Sequence, residues 1–200
     1  MQIKYQSYVF KLLLTTPFFY WLYLVFLGDL GADPAKSLNH KAGEIAYYYL
    51  IANLLIGVLI AIKIKLPQQL RFLYMNRRFL GVITFFYLVI HLTLYFAMES
   101  FEFQAIEQIY TKLYLILGSC AWLLFLVLAL TSNDFSVKKL TLKRWRLLHK
   151  TVYLGFVLAS IHILNIEKTD LIKYSLLLTL VVLLQLFRLI KNRKIYADSK

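Results

Sequence analysis

The residues most able to do chemistry in this chain are its histidines, because a neutral imidazole is a common ligand for transition metals. Of the four, His91, His149 and His162 lie in or beside long apolar runs, and His40 follows a turn-forming stretch. His149 and His162 are thirteen residues apart. As helix that separation rises about 20 Å, roughly two-thirds of a hydrocarbon core near 30 Å thick. His91 stands thirteen residues beyond Arg78, and His162 thirteen beyond His149, at the inner ends of two different apolar runs. The two histidines are therefore expected at one depth, toward the outer face of a membrane. Ionisable side chains at such depth are costly and usually functional.

Two neutral histidines on separate helices at matched depth can supply both axial ligands of a b-type haem, which needs no covalent attachment. The plain alternative is that each imidazole only hydrogen-bonds a neighbouring helix. His149 is ambiguous, since thirteen residues at about 100° each leave it roughly 140° from the His162 face of an ideal helix. It reads equally as an interfacial histidine beside Trp145 and Tyr153 or as a ligand of a second, inner haem. The single Cys120 lies within an apolar run, so the chain has no CxxCH attachment motif and no cysteine-rich zinc or iron–sulfur site.

The elements that must position these side chains are set by composition. Sixty per cent of the chain is hydrophobic, with 15 Tyr and 15 Phe, and the mean hydropathy is +0.66. A soluble domain carries about 45–50% apolar residues. Six apolar runs, at about 12–27, 45–62, 79–98, 113–131, 149–166 and 171–187, each approach the ~17–25 residues that cross a bilayer as a helix. Pro17 falls inside the first and is expected to kink it, which membrane helices tolerate. No cleavable leader is expected, because no small-residue cleavage site follows the first run. The reading is one all-α integral membrane domain over 1–200, a six-helix transmembrane bundle.

The net charge of +13 follows topology rather than nucleic acid. Lys4, Lys11, Lys63, Lys65, Arg71, Arg77 and Arg78 share one side with Lys138, Lys139, Lys143, Arg144, Arg146 and Lys150, and with the tail's Arg188, Lys191, Arg193, Lys194 and Lys200. Only Asp134 and Asp198 join them there; the other acidic residues lie opposite. The positive-inside rule then puts both termini in the cytoplasm. Arg77, Arg78 and Arg144 are candidates to meet the propionates of an inner cofactor or a flavin phosphate, since guanidinium binds such anions bidentately. Headgroup contact in the lipid bilayer is the default use of the cluster.

Residues 28–34, with Gly28, Asp29, Gly31, Asp33 and Pro34, read as a turn. Glu99, Glu102 and Glu107 read as a solvated acidic face, and Asn53, Gln185 and Ser119 as hydrogen-bonders between helices. No hydrolase triad, P-loop or Rossmann glycine motif occurs, so electrons would have to come from a membrane carrier or another protein. Two rivals to an electron conduit are a self-contained transmembrane ferric or oxygen reductase and a small transporter whose histidines relay protons. The absence of carboxylates deep in the runs argues against the relay.

Several pieces together resemble a known family. Gly31-Ala32-Asp33-Pro34 with His40, Arg77-Arg78 before Leu80-Gly81, His91-Leu92-Thr93 with Tyr95, Lys143-Arg144-Trp145 before Leu148-His149, Val152-Tyr153 and His162 resemble the MsrQ (YedZ) family over about residues 28–190. That family is the haem-binding membrane subunit of the bacterial periplasmic methionine-sulfoxide reductase system. More distantly the layout is similar to the ferric-reductase and NADPH-oxidase membrane domain, where two stacked haems sit between the third and fifth helices. Arg77 stands where that domain has a further third-helix histidine. The resemblance implies a bundle of ferric-reductase-like type in the bacterial inner membrane. Electrons would enter from the quinone pool, or from a flavin bound as FMN or supplied by a flavin reductase. They would cross through one or two haem b groups and leave to a periplasmic molybdopterin-containing subunit that reduces methionine sulfoxide. By the same resemblance His91 and His162 would ligate the outer haem and His149 would serve the inner position.

Overall fold

The helix against which the others lean begins at Asp33. Its carboxylate accepts the Lys36 N–H at 3.0 Å, and Pro34 supplies a first helical residue that needs no donor. In the computed structural model, which describes residues 2–28, 30–62, 67 and 70–197, this helix, α2 (Pro34–Ala61), includes residues 34–44 as well as the expected apolar run. The early turns form because Leu38, Ala42 and Ala46 recur at helical spacing and are buried, leaving Lys36, His40 and Lys41 on other faces. His40 is thus part of a helix rather than a loop. Asp29, Lys63, Lys65, Asp198 and Lys200 lie outside the described residues, as do the side chains of Arg193 and Lys194.

Around α2 stand α1 (Gln2–Leu27), the short α3 (Arg71–Met75), α4 (Arg77–Met98), α5 (Phe103–Thr111), α6 (Leu113–Leu130), α7 (Asp134–His149), α8 (Val152–Leu164) and α9 (Leu171–Ala197). Among the described residues, six stretches are long and apolar enough to cross a bilayer: Ile3–Leu27, Pro34–Ala61, Arg77–Met98, Leu113–Leu130, Asp134–Leu164 and Leu171–Lys191. The fifth differs most from the sequence expectation of 149–166. Asn133 caps a new start by accepting the Ser136 N–H at 2.8 Å, and helix begins at Asp134. The backbone then breaks at Thr141, with φ 66° and ψ 150°, and turns again at Lys150–Thr151 before α8. A β-branched residue at positive φ is strained, so the break at Thr141 is held by its surroundings. The helix runs through Pro17 without interruption. In the adjacent turn the hydroxyls of Tyr49 and Tyr87 both donate to the Leu14 carbonyl, at 3.1 and 2.9 Å.

The core has two halves with α2 between them. Leu14 and Trp21 of α1 pack on Ala42, Ala46 and Ile56 of α2 and on Leu80, Ile83 and Tyr87 of α4. On another face of α2, Tyr47, Leu50, Ile51 and Leu54 meet Phe125 of α6, Phe156 of α8 and Val181 of α9. Within lipid, helix association draws on packing and interhelical hydrogen bonds, each worth about 0.6 kcal/mol on average. Tyr47 and Ser160 make one such bond, at 2.9 Å between α2 and α8. Small residues supply the close approach: a Cβ at Gly155 on α8 would lie 2.8 Å from the tip of the Phe125 ring on α6. Gly155→Ala should therefore destabilise the α6–α8 contact by about 1–3 kcal/mol, read as a lower midpoint for unfolding of the purified protein in detergent. An unchanged midpoint would show that Phe125 swings aside freely.

Candidate functional site

His91 projects from α4 toward the first turns of α2, where its Nδ1 lies 2.9 Å from the Asn39 carbonyl oxygen. A carbonyl only accepts, so Nδ1 carries the proton and Nε2 keeps its lone pair. The Asn39 side chain returns the bond, donating Nδ2–H to the His91 carbonyl at 2.7 Å. One turn further along α2, Gly43 leaves the space the ring needs, since a Cβ there would sit 3.1 Å from His91 Cε1 and Nδ1. A helix carbonyl already accepts from the residue four positions on, so an outside donor must approach from the side. Glycine at that fourth position opens the side.

His162 is held in the same way by a different helix. Its Nδ1 donates to the Tyr114 carbonyl of α6 at 2.6 Å, and Gly118, four residues on, makes room: a Cβ there would lie 2.8 Å from Nδ1. Both rings thus present the Nε2 lone pair. Their centroids are 6.4 Å apart with planes at 77°, so the matched depth expected from the spacing is realised. Both line a cavity of about 310 Å³ between α2, α4, α6 and α8, with Leu50, Leu88, Trp122 and Phe125 among its apolar walls. Toward the mouth it is polar, with His40, Glu44, Glu99 and Lys112. Lys173 bonds Glu44 at 2.6 Å, and the Tyr48 hydroxyl bonds the same carboxylate at 2.8 Å. Gln108 of α5 donates to Glu99 at 2.9 Å, while Glu102 and Glu107 are exposed.

His149 lies elsewhere. Its Nε2 is 3.1 Å from the Thr131 hydroxyl, whose own proton goes to the Val127 carbonyl at 2.7 Å. The histidine is therefore the donor, and Nδ1 is its lone-pair nitrogen. Its ring stacks on Trp145 with centroids 4.0 Å apart. The three arginines also separate. Arg77 turns onto α2, with Nε 3.2 Å from Asn53 Oδ1 and Nη2 3.4 Å from the Asn53 carbonyl. Arg78 pairs with Asp134 at 2.5 Å and lies over the Trp145 ring. Arg144 is exposed on α7.

Asn53 and Gln185 do bond between helices, to Arg77 and to the Leu54 carbonyl. Asn39, Gly43, Tyr114 and Gly118 are site residues that the spacing of titratable groups does not reveal. One signal for two of them was in view: Asn-x-x-x-Gly occurs twice in α2, at Asn39/Gly43 and Asn53/Gly57. The second copy receives Arg77, and a Cβ at Gly57 would be 3.0 Å from its Nη2.

Long apolar helices around a cavity that takes a histidine from each of the third and fifth crossings define a multi-pass membrane protein with a bundle-enclosed site. The family model described as "Ferric reductase like transmembrane component" matches residues 42–160. A protein of Salmonella paratyphi B is 40% identical over 140 residues, covering 68% of this chain and 67% of the relative. Proteins of Salmonella newport and Salmonella enteritidis match with the same identity and coverage. All three bear the name protein-methionine-sulfoxide reductase heme-binding subunit MsrQ. The chain belongs to the ferric-reductase-like transmembrane family and, within it, to the MsrQ proteins.

The tautomers give a direct test of the geometry. In protein labelled with 15N-histidine, His91 and His162 should both show the Nδ1–H form and His149 the Nε2–H form. Gly118→Ala should shift His162 alone toward the other tautomer; an unaltered His162 signal would mean the ring clears the added methyl without leaving Tyr114.

Proposed function

We propose that the chain is the haem b-binding, electron-transferring membrane subunit of a protein-methionine-sulfoxide reductase system, with 1–200 acting as one domain. The observation that carries the reading is the pair of imidazoles 6.4 Å apart across the cavity, each with Nδ1 committed to a helix carbonyl. His91 and His162, whose Nε2 lone pairs are free on one cavity, are the residues that would hold the haem iron. The donor set suits haem for a second reason. Histidine ligands normally donate their other N–H to a carbonyl or carboxylate, which orients the ring and raises its basicity. Bound between His91 and His162, haem supplies reversible one-electron transfer at iron.

The chain's own residues do the rest. Asn39 and Tyr114 hold the two rings in the ligating tautomer, Gly43 and Gly118 let them reach those carbonyls, and the walls of Leu50, Leu88 and Phe125 exclude water. In this reading His149, through Nδ1, serves the inner position of a second haem. Arg77, Arg78 and Arg144 serve the propionates of that group or the phosphate of FMN. Electrons enter from the quinone pool or a flavin reductase at the basic, cytoplasmic side, where both termini lie. They leave to a molybdopterin-containing partner at the outer face of the bacterial inner membrane. Oxidised methionines of envelope proteins are the final substrate.

Purified protein, expressed with haem in good supply, should give a b-type α band in a reduced-minus-oxidised spectrum; a colourless protein ends the proposal. His91→Ala and His162→Ala should each remove most of the haem that a pyridine haemochrome assay measures in the parent. Gly118→Ala, which pushes the His162 ring off the Tyr114 carbonyl, should weaken haem retention by about 10–100-fold or more. His149→Ala should leave the outer haem spectrum in place while lowering stoichiometry or shifting the potential. Full haem content and an identical potential would assign His149 to the interface instead.

A further inference from the structure

The inner ends of α2, α4, α8 and α9 gather polar groups that haem ligation does not use. Arg188 of α9 donates through Nη1 to the Tyr153 hydroxyl of α8 and, at 3.0 Å, to Gln185 Oε1. Gln185 is itself tied to the Leu54 carbonyl of α2 at 3.4 Å. Using Nη1 this way leaves the other edge of the guanidinium. Its Nε is buried and has no hydrogen-bond partner, and among the described residues Nη2 makes no hydrogen bond either. Nε–H and Nη2–H together form the fork that fits two oxygens of one oxyanion.

A second guanidinium faces the same region. Arg77, half-buried on α4, is held by Asn53 and lies against Gly57. The two are linked through α2: Arg77 is held by Asn53, and Gln185, which accepts from Arg188, donates to the carbonyl of the next residue, Leu54. Among the described residues neither has a carboxylate partner: the ion pairs there are Arg78–Asp134 and Lys173–Glu44. A guanidinium with a buried unmet donor costs free energy unless an anion meets it. The surroundings say what kind of anion. Arg188 lies two-thirds of the way along α9, flanked by exposed Leu183, Leu186, Phe187, Leu189 and Ile190, so the site borders acyl chains on the side and headgroups at the end. Basic pockets between membrane helices at this level take phospholipid headgroups.

We propose that Arg188, with Arg77 and Tyr153, forms a phosphate-oxyanion site between α4, α8 and α9, and that its occupant is one anionic phospholipid. The acyl chains lie along the exposed apolar face of α9, and the phosphate takes the Nε/Nη2 fork. The proposal rests on the reading of Arg77 as an anion-binding residue, but assigns it to lipid phosphate in place of a propionate or FMN, and its test reads lipid rather than haem.

The full-length protein, delipidated in detergent, is placed in nanodiscs of phosphatidylcholine with a small fraction of phosphatidylglycerol, then released and analysed by native mass spectrometry. The parent should retain one phosphatidylglycerol per chain. Arg188→Gln should lose it by about tenfold or more in affinity. Arg188→Lys, which keeps the charge but not the fork, should fall between the two. Haem content equal to the parent's, or an unchanged unfolding midpoint if no haem is bound, verifies that each variant is folded. Tyr153→Phe keeps a second variant in hand should Arg188→Gln fail to fold; it frees Nη1 and should weaken retention. Equal retention by parent and variants overturns the proposal. Displacement of the lipid by millimolar FMN or inorganic phosphate overturns the lipid as occupant, because a water-soluble phosphate would then own the fork.

Discussion

A neutral imidazole offers a metal the lone pair of one nitrogen while the other carries a proton that costs free energy if it finds no acceptor, and inside a bilayer there is no water to supply one. The helices around it supply carbonyls, but each of these already accepts a bond from four residues on. The chain resolves the conflict twice by placing glycine at that fourth position, Gly43 for the Asn39 carbonyl and Gly118 for the Tyr114 carbonyl. The cavity walls, the helix register and the outer polar rim all presuppose this arrangement. A ring that could not reach its carbonyl would lose its fixed tautomer and its fixed direction together.

The same clasp appears one level inward with a different guest. Asn53 donates its side-chain amide to the Arg77 carbonyl as Asn39 does to that of His91, at 3.1 and 2.7 Å, and Gly57 yields space to the guanidinium as Gly43 does to the imidazole. Guanidinium stays protonated and has no lone pair for iron. The Asn39 register of the α2–α4 pair therefore holds an imidazole with a free lone pair, and the Asn53 register holds a fixed positive charge. That division accounts for the separate placement of His149, which bonds Thr131 and stacks on Trp145 rather than facing Arg77 across the bundle. It also concentrates cation at the end where Arg188 adds another.

Much of this was legible in the chain. Apolar runs and charge asymmetry suffice for six helices, and equal spacing from Arg78 and His149 suffices to put His91 and His162 at one depth, because rise per residue is nearly constant in any helix. Angular facts were less accessible. The offset of His149 from the His162 face assumed one ideal helix, whereas the backbone turns at Lys150–Thr151. Residues 34–44 and 134–148 look polar to a hydropathy argument, yet Asp33 and Asn133 caps start helices there. The second partner of each histidine was invisible to any reading of side-chain types, because the acceptor is a backbone carbonyl and the signature is a hydrogen atom where a methyl would be.

The two Asn-x-x-x-Gly copies also explain why α2 and α4 cannot slide past each other. They are fourteen residues apart in α2, as are Arg77 and His91 in α4. Fourteen residues turn through about 1400°, some 40° short of four full turns, and rise about 21 Å. Both clasps therefore fall on nearly one face of each helix, in antiparallel order. A shift of one residue would carry every partner about 100° round the helix and break both clasps at once, leaving asparagines and a guanidinium unsatisfied in an apolar setting. The depth of the His91 ring is thereby set from both ends of the bundle. A change at Asn53 or Gly57, roughly 20 Å from the Asn39–Gly43 clasp by the same rise, acts on that ring through the register of two packed helices rather than through any contact with it.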